Sequence, residues 1–166
     1  MKKLLTVLAA AAISVSCPST AHAAPTSDAE FRWPLAPRPA IVNAFDPPEH
    51  DWLPGHRGVD LAGADGQAVR AVGDGVVVFA GEVAGKPVVS VDHSDGLRST
   101  YEPVRASVAA GSRIRAGDIV GVLETGHPGC TEACLHWGLR RDRVYLDPLG
   151  LLRTTPIRLK PLAGIP

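Results

Sequence analysis

His56 and Asp60 are the pair of side chains best suited to chemistry in this 166-residue sequence. They stand four residues apart within the run Gly55-His56-Arg57-Gly58-Val59-Asp60-Leu61-Ala62. A neutral imidazole and an ionised carboxylate are both good zinc ligands. The glycines argue against a helix, and a straight strand would hold the two side chains about 13 Å apart. A shared metal ion therefore requires a bend at Gly58, with His56 on a loop and Asp60 at the start of a strand.

His136 is the candidate for a third ligand. If residues 134–140 form a strand, alternate side chains point to opposite faces. One face then carries Leu135, Trp137 and Leu139, and the other carries Cys134, His136, Gly138 and Arg140. Three protein ligands and a water molecule form the usual arrangement of a catalytic zinc site. The predicted metal ligands are therefore His56, Asp60 and His136, and the predicted cofactor is zinc.

Short β strands between glycine and proline turns are predicted to position these ligands. The predicted strands are 40–45, 68–72, 75–81, 88–92, 97–103, 113–115, 119–123, 134–140 and 144–146. Helical periodicity is absent apart from a turn at 148–152, so the expected fold is all-β, an antiparallel sandwich or barrel. We expect one domain over residues 37–152, preceded by a linker at 24–36 and followed by a loosely attached tail at 153–166.

The N-terminus has the pattern of a secretory signal peptide. Lys2 and Lys3 precede an apolar run at 4–15, and Ala21-His22-Ala23 forms a small-x-small cleavage pattern. We therefore expect residues 1–23 to be removed and the mature protein to be secreted into the cell wall or cell envelope, without a membrane attachment. A lipoprotein anchored at Cys17 is the alternative, although the residues before it lack the usual apolar side chain.

The charge balance of the chain limits the kinds of partner that it can bind. The chain has 17 basic and 17 acidic residues, and loss of Lys2 and Lys3 leaves 17 − 2 = 15 basic residues against 17 acidic ones. A nearly neutral chain gives no basis for electrostatic binding to nucleic acid or to an anionic membrane.

Cys130 and Cys134 remain after cleavage, and two cysteines in an exported chain favour a disulfide. The alternative is that the Cys134 thiolate is a fourth zinc ligand, which would make the site a closed structural one.

The chain resembles the lysostaphin/LytM-type peptidoglycan metalloendopeptidases over roughly residues 33–152. The resemblance rests on a Trp-Pro opening at 33–34, the run that contains His56 and Asp60, the strand pair at 69–81, Asp-His-x-x-Gly at 92–96, Ala-Gly-Asp-x-Val-Gly at 116–121, and Leu-His-Trp-Gly at 135–138. It implies an antiparallel β fold called the duplicated hybrid motif. It also implies zinc held by His56, Asp60 and His136, and action on the peptide cross-links of peptidoglycan.

The resemblance further implies two catalytic histidines, and both positions are occupied by other residues. The first histidine of the family's closing His-x-His motif is Cys134 here. The histidine of its Tyr-Ala-His-Leu segment is Pro103, within Tyr101-Glu102-Pro103-Val104. Such groups stabilise the tetrahedral intermediate and protonate the leaving amine, and the loss of one donor costs about 10²–10³ in rate. The sequence therefore predicts weak or lost cleavage.

Three other side chains lie near these positions in the sequence and are candidates to replace the missing histidines. Tyr101 would face the same way as Pro103 on a strand, so its hydroxyl is a weak candidate for a catalytic hydrogen-bond donor. Glu102 would face the opposite way, away from the site. His127 is expected to be an exposed turn residue, and its alternative role is to replace a missing histidine.

Two functions follow from this pattern. The first is an exported zinc metalloendopeptidase-family protein that acts on or binds peptidoglycan peptide cross-links. The alternative is a catalytically inactive, degenerate domain that binds the wall or regulates another cell-wall hydrolase, which would then be its partner. A plain β domain, in which His56, Asp60 and His136 only form hydrogen bonds, leaves their spacing and order unexplained.

Overall fold

The computed structural model describes residues 31–50 and 52–152. The predicted signal peptide at 1–23, Cys17 and the predicted tail at 153–166 lie outside the described residues. The last residues of the predicted linker are described, and they pack against the domain. Leu35 is buried in the core, and the Arg32 N–H donates to the Val72 carbonyl at 2.8 Å.

The described residues form eleven strands and no α-helix, which confirms the predicted all-β class. The strands are β1 (Ile41–Asn43), β2 (Gly58–Ala62), β3 (Ala68–Arg70), β4 (Gly75–Val83), β5 (Lys86–Asp92), β6 (Leu97–Glu102), β7 (Val104–Ala106), β8 (Arg113–Ile114), β9 (Ile119–Leu123), β10 (Cys134–Arg141) and β11 (Val144–Leu146). Two short 3₁₀ turns, at Ser94–Gly96 and Pro148–Leu152, complete the fold. Within residues 31–50 and 52–152, no helix is long and apolar enough to cross a membrane.

The strands are arranged in two antiparallel sheets. The larger sheet has the order β1-β2-β10-β6-β5-β4-β8, with β11 paired to the end of β10. The smaller sheet has the order β3-β9-β7. Strand β10 is therefore central, because it pairs with β2 along one edge and with β6 along the other.

One hydrophobic core joins the two sheets: both sheets contribute β-branched side chains, and the larger sheet adds Tyr101 and Trp137. On β10, Leu135 and Trp137 belong to this core and Leu139 is buried as well, as the predicted alternation requires. The same alternation leaves His136 on the opposite face of the sheet. Burial of this apolar face stabilises the fold by about 25 cal/mol for each Å² removed from water. Because the protein interior is close-packed, β10 is a rigid support for the side chains on its other face.

Candidate metal centre

Strand pairing places two of the predicted ligands opposite each other. Asp60 on β2 is the direct register partner of His136 on β10. His56 lies just before β2, where its backbone N–H and C=O both bond to Asp46 at 2.6 and 3.0 Å. The chain therefore bends between His56 and the first residue of β2, Gly58, as the sequence predicts.

Gly58 is required at this bend because the site is crowded there. A Cβ on Gly58 would lie 2.6 Å from the Trp137 carbonyl oxygen and 2.7 Å from the His136 ring. A side chain at this position would therefore displace either β10 or the imidazole. The absence of a side chain lets β2 and the His136 ring approach each other.

Three imidazole nitrogens converge on one oxygen of Asp60. The Oδ1 atom lies 3.0 Å from His56 Nε2, 2.8 Å from His136 Nδ1 and 3.1 Å from His127 Nε2. His56 Nε2 and His136 Nδ1 are 3.1 Å apart, and one ligand atom from each of the four residues lies within 4.8 Å of the others. Zinc bonds of about 2.0–2.1 Å place neighbouring tetrahedral ligands roughly 3.3 Å apart, so His56, Asp60 and His136 have a suitable spacing.

The hydrogen bonds behind the ligands fix their orientation. His56 Nδ1 lies 2.6 Å from the Ala44 carbonyl oxygen, and because a carbonyl only accepts, this nitrogen carries the proton. In the neutral ring, Nε2 then presents a lone pair to the Asp60 carboxylate. Two acceptors at that distance repel unless a cation lies between them, which is the pattern of a metal-binding histidine. Asn43 Nδ2 donates to Asp60 Oδ2 at 2.8 Å and orients the carboxylate.

Electrostatics keep Asp60 in the form that binds a metal. Burial acts to raise the pKa of this carboxyl group. Hydrogen bonds from His127, His136 and Asn43 outweigh that effect, and the pKa of Asp60 lies well below its ordinary value. The carboxylate is therefore ionised throughout the neutral range, and the donor set of imidazoles and a carboxylate fits zinc.

His127 is part of this cluster, so its prediction as an exposed turn residue is wrong. Its side chain is 11% exposed, and its ring stacks on His136 with centroids 5.3 Å apart. Its Nε2 faces Asp60, while its Nδ1 lies 3.9 Å from Glu102 Oε1. That Nδ1 is buried and has no hydrogen-bond partner among the described residues. Such a nitrogen calls for a partner that the described side chains do not supply, such as water, an ion or a substrate group.

The predicted orientations of Tyr101 and Glu102 are also wrong. Tyr101 is 0% exposed, its hydroxyl accepts the Val72 N–H at 3.0 Å, and burial raises its pKa. It therefore cannot act in the site. Glu102 pairs in register with His136 and lines the same groove. The alternation itself holds, because Tyr101 and Pro103 are both buried and Glu102 between them is not; the error was to place Pro103 on the face of the site.

Cys134 does not take part in the metal cluster. It forms a disulfide with Cys130, with Cα atoms 6.1 Å apart, so the alternative of a Cys134 thiolate ligand is contradicted. Cys134 is also the first residue of β10, two positions before His136. The disulfide thus ties the loop that carries His127 to the strand that carries His136.

Known proteins are similar to this chain in sequence and in fold. Residues 54–148 match the sequence profile described as Peptidase family M23. The chain is 52% identical over 159 residues to the uncharacterized protein Rv2891 of Mycobacterium tuberculosis, covering 92% of this chain and 64% of that relative. The chain thus spans less than two thirds of the length of that relative.

Two relatives of stated function are more distant. The DD-carboxypeptidase/endopeptidase Mpg of Neisseria meningitidis serogroup B is 31% identical over 109 residues, which is 64% of this chain and 25% of that protein. The murein hydrolase activator NlpD of Salmonella typhimurium is 30% identical over 138 residues, which is 81% of this chain and 34% of that protein. The structure of Helicobacter pylori Csd3 superposes with a TM-score of 0.63 at 28% identity and covers 78% of this chain and 36% of that one.

Proposed function

The chain belongs to Peptidase family M23, and on that premise we propose that it is a zinc-dependent peptidase acting on the peptide cross-links of peptidoglycan. The observation that carries the proposal is the convergence of His56, Asp60, His127 and His136. Three of these residues suffice to hold a catalytic zinc, and the fourth supplies a histidine beside it. The similarity to the peptidase Mpg supports the same activity.

His56, Asp60 and His136 would hold the zinc. When bound, zinc supplies a Lewis acid and lowers the pKa of its water to about 7. Asn43 and the Ala44 carbonyl orient Asp60 and His56 through the hydrogen bonds already described. Gly58 keeps the His136 ring close to both.

His127 would take over work that the family assigns to histidines at the positions of Pro103 and Cys134. Its ring lies at the metal cluster, where it would be within reach of the charge that develops on a substrate carbonyl oxygen. A hydrogen-bond donor at such a position contributes about 10²–10³ in rate. Glu102 faces the other ring nitrogen and is itself held by Lys86 at 2.7 Å, so this pair would orient the imidazole.

Two observations favour the second candidate function, an inactive domain that binds the wall or regulates another cell-wall hydrolase. Neither family histidine is present at Pro103 or Cys134. The chain is also similar over most of its length to the murein hydrolase activator NlpD. In that case the partner would be a cell-wall hydrolase, and the metal cluster would only stabilise the fold.

We also propose that the protein acts outside the cytoplasm, in the cell wall or envelope. Residues 1–23 have the pattern of a signal peptide. The disulfide between Cys130 and Cys134 suits an oxidising compartment. The similarity to the peptidase Mpg and to the murein hydrolase activator NlpD supports an envelope location as well.

The test is digestion of purified peptidoglycan by the exported protein, with zinc content measured on the same sample. We expect one zinc per chain and release of new amino groups, both lost after chelation and restored by zinc. Zinc binding without any cleavage would contradict the peptidase proposal. Stimulation of a purified cell-wall amidase by that sample would then support the regulatory function.

A further inference from the structure

The loop that carries His127 lies outside the hydrophobic core. It extends from Glu124 to Ala133, and a backbone hydrogen bond of 3.0 Å holds each end to the sheets. Between these ends, His127 and Cys130 are half-buried and the other six residues are exposed. Of the described residues 125–132, none belongs to the core. Core packing therefore does not hold this loop over the metal centre.

A tight turn connects His127 to Cys130. The Cys130 N–H donates to the His127 carbonyl at 3.4 Å and closes a turn of four residues. Pro128 is the second residue of this turn, and Gly129 is the third, with a φ of +85°. Proline followed by a glycine of positive φ is the pattern of a type II turn, and the proline ring fixes its own φ. His127 is therefore expected to move together with Cys130.

The disulfide fastens this turn to the strand beside the site. Cys130 is bonded to Cys134, the first residue of β10, which is 4% exposed. The bonded residues are four positions apart, and so short a closed loop leaves Cys130 little freedom to move away from β10. On the other side of His127, Gly126 has a φ of +102° and open space around its Cβ position. It would act as a hinge if the disulfide were broken.

We propose that the disulfide is a redox switch, which holds His127 beside the metal when oxidised and releases it when reduced. The proposal rests on the proposed peptidase function. A dithiol is the reductant: one of its thiolates attacks Sγ of Cys130, the S–S bond breaks, and Cys134 leaves as a thiolate. The second thiol of the reductant then displaces Cys130. The protein gains two electrons and two protons as two thiols, and the dithiol becomes a disulfide. The three zinc ligands lie outside this loop and keep the metal.

The position of His127 can be measured without substrate. Zinc-loaded wild type and the double variant Cys130→Ser/Cys134→Ser are labelled with diethyl pyrocarbonate, and peptide mass spectrometry gives the rate at each histidine. Exposed His50 and buried His93 are the internal references for reagent activity and for folding. We expect the His127 rate to rise about tenfold in the variant, as for a loop that opens locally, with the zinc content unchanged. An unchanged His127 rate, or loss of zinc together with the disulfide, would overturn the proposal.

Gly129→Ala tests the turn while the disulfide is intact. Alanine is strained at a φ of +85°, and its Cβ would meet nothing closer than Asn43 Nδ2 at 3.9 Å, so the change acts through the backbone. We expect faster labelling of His127. Gly111→Ala is the matched control, because Gly111 has a φ of +89° and open space around its Cβ position. Equal His127 rates in the two alanine variants would show that the turn does not fix His127, and would overturn the proposal.

Peptidoglycan cleavage tests the switch itself. Wild type is reduced with dithiothreitol, desalted without oxygen and reloaded with zinc. We expect the initial rate to fall at least about tenfold, because a donor such as His127 contributes about 10²–10³, and reoxidation should restore it. The double serine variant, treated in the same way, is the control and should not respond. Equal cleavage by reduced and oxidised wild type would overturn the switch. Absence of cleavage in both would contradict the peptidase function, whereas the labelling rates still decide whether the disulfide holds His127.

Discussion

Gly58→Ala is the substitution that most directly tests how the fold builds the metal centre. The added Cβ would lie 2.6 Å from the Trp137 carbonyl oxygen, 0.4 Å inside the 3.0 Å that real Cβ contacts respect. It would also lie 2.7 Å from two atoms of the His136 ring. Because the carbonyl belongs to the paired strand β10, the strands must separate or the imidazole must move.

The expected effects follow from these distances. Overpacking of this kind costs about 1–3 kcal/mol of unfolding free energy. Displacement of a ligand ring resembles the loss of a supporting contact, which lowers metal affinity about 10–100-fold. Urea unfolding of the metal-free protein measures the first effect, and zinc competition with a chromogenic chelator measures the second.

Gly138→Ala is the matched control, since Gly138 is the register partner of Gly58. A Cβ there would meet the Arg57 carbonyl oxygen at 3.6 Å and His136 Nε2 at 3.8 Å, which are ordinary contacts. We expect its stability to be equal to or about 0.5 kcal/mol above that of the wild type, because alanine loses less conformational entropy than glycine on folding. If Gly58→Ala behaves like this control, the close approach of β2 to the His136 ring does not determine the geometry of the metal centre.

Three further predictions concern the surroundings of the site. Tyr101→Phe should lower the unfolding free energy by about 1–3 kcal/mol in urea, because it leaves the buried Val72 N–H without its acceptor; zinc binding should not change, and a lost zinc site would place Tyr101 in the centre. Replacing both Cys130 and Cys134 with serine should cost about 2 kcal/mol, as expected for a short disulfide loop, and a thermal unfolding midpoint equal to that of the wild type would contradict this. In metal-free protein, the lowered pKa of Asp60 contributes stability above its ordinary value of 3.8, and this contribution is lost as pH falls below that value. Asp60→Asn should therefore reduce the fall in unfolding free energy at acid pH. An unchanged dependence on pH would show that Asp60 is not the group responsible.

Strand periodicity explains what the sequence could predict. The alternation on β10 correctly separates the buried Trp137 from His136, and the bend at Gly58 follows from the spacing of His56 and Asp60. Both inferences depend on local backbone geometry, which glycine and strand patterns specify. The pairing of Asp60 with His136 needed only the further assumption that both strands belong to one sheet.

The errors arose where the chain leaves regular strands. Glu102 and Tyr101 were assigned to the wrong faces because Pro103, which follows the last residue of β6, was taken to face the site, whereas it is buried like Tyr101. His127 was missed because a loop has no period that predicts the direction of a side chain. A signal was present in the sequence. His127 lies three residues before Cys130, and Cys134 begins the strand of His136, so a disulfide between the two cysteines brings the loop to the site.

Zinc content and peptidoglycan cleavage, measured together on His127→Ala and His136→Ala, test the central claim most directly. The claim is that His136 holds the zinc whereas His127 acts beside it. We expect His127→Ala to keep one zinc per chain and to lose cleavage by about 10²–10³, and His136→Ala to lose both. If His127→Ala loses its zinc as His136→Ala does, His127 is a fourth ligand and the centre is a closed structural site.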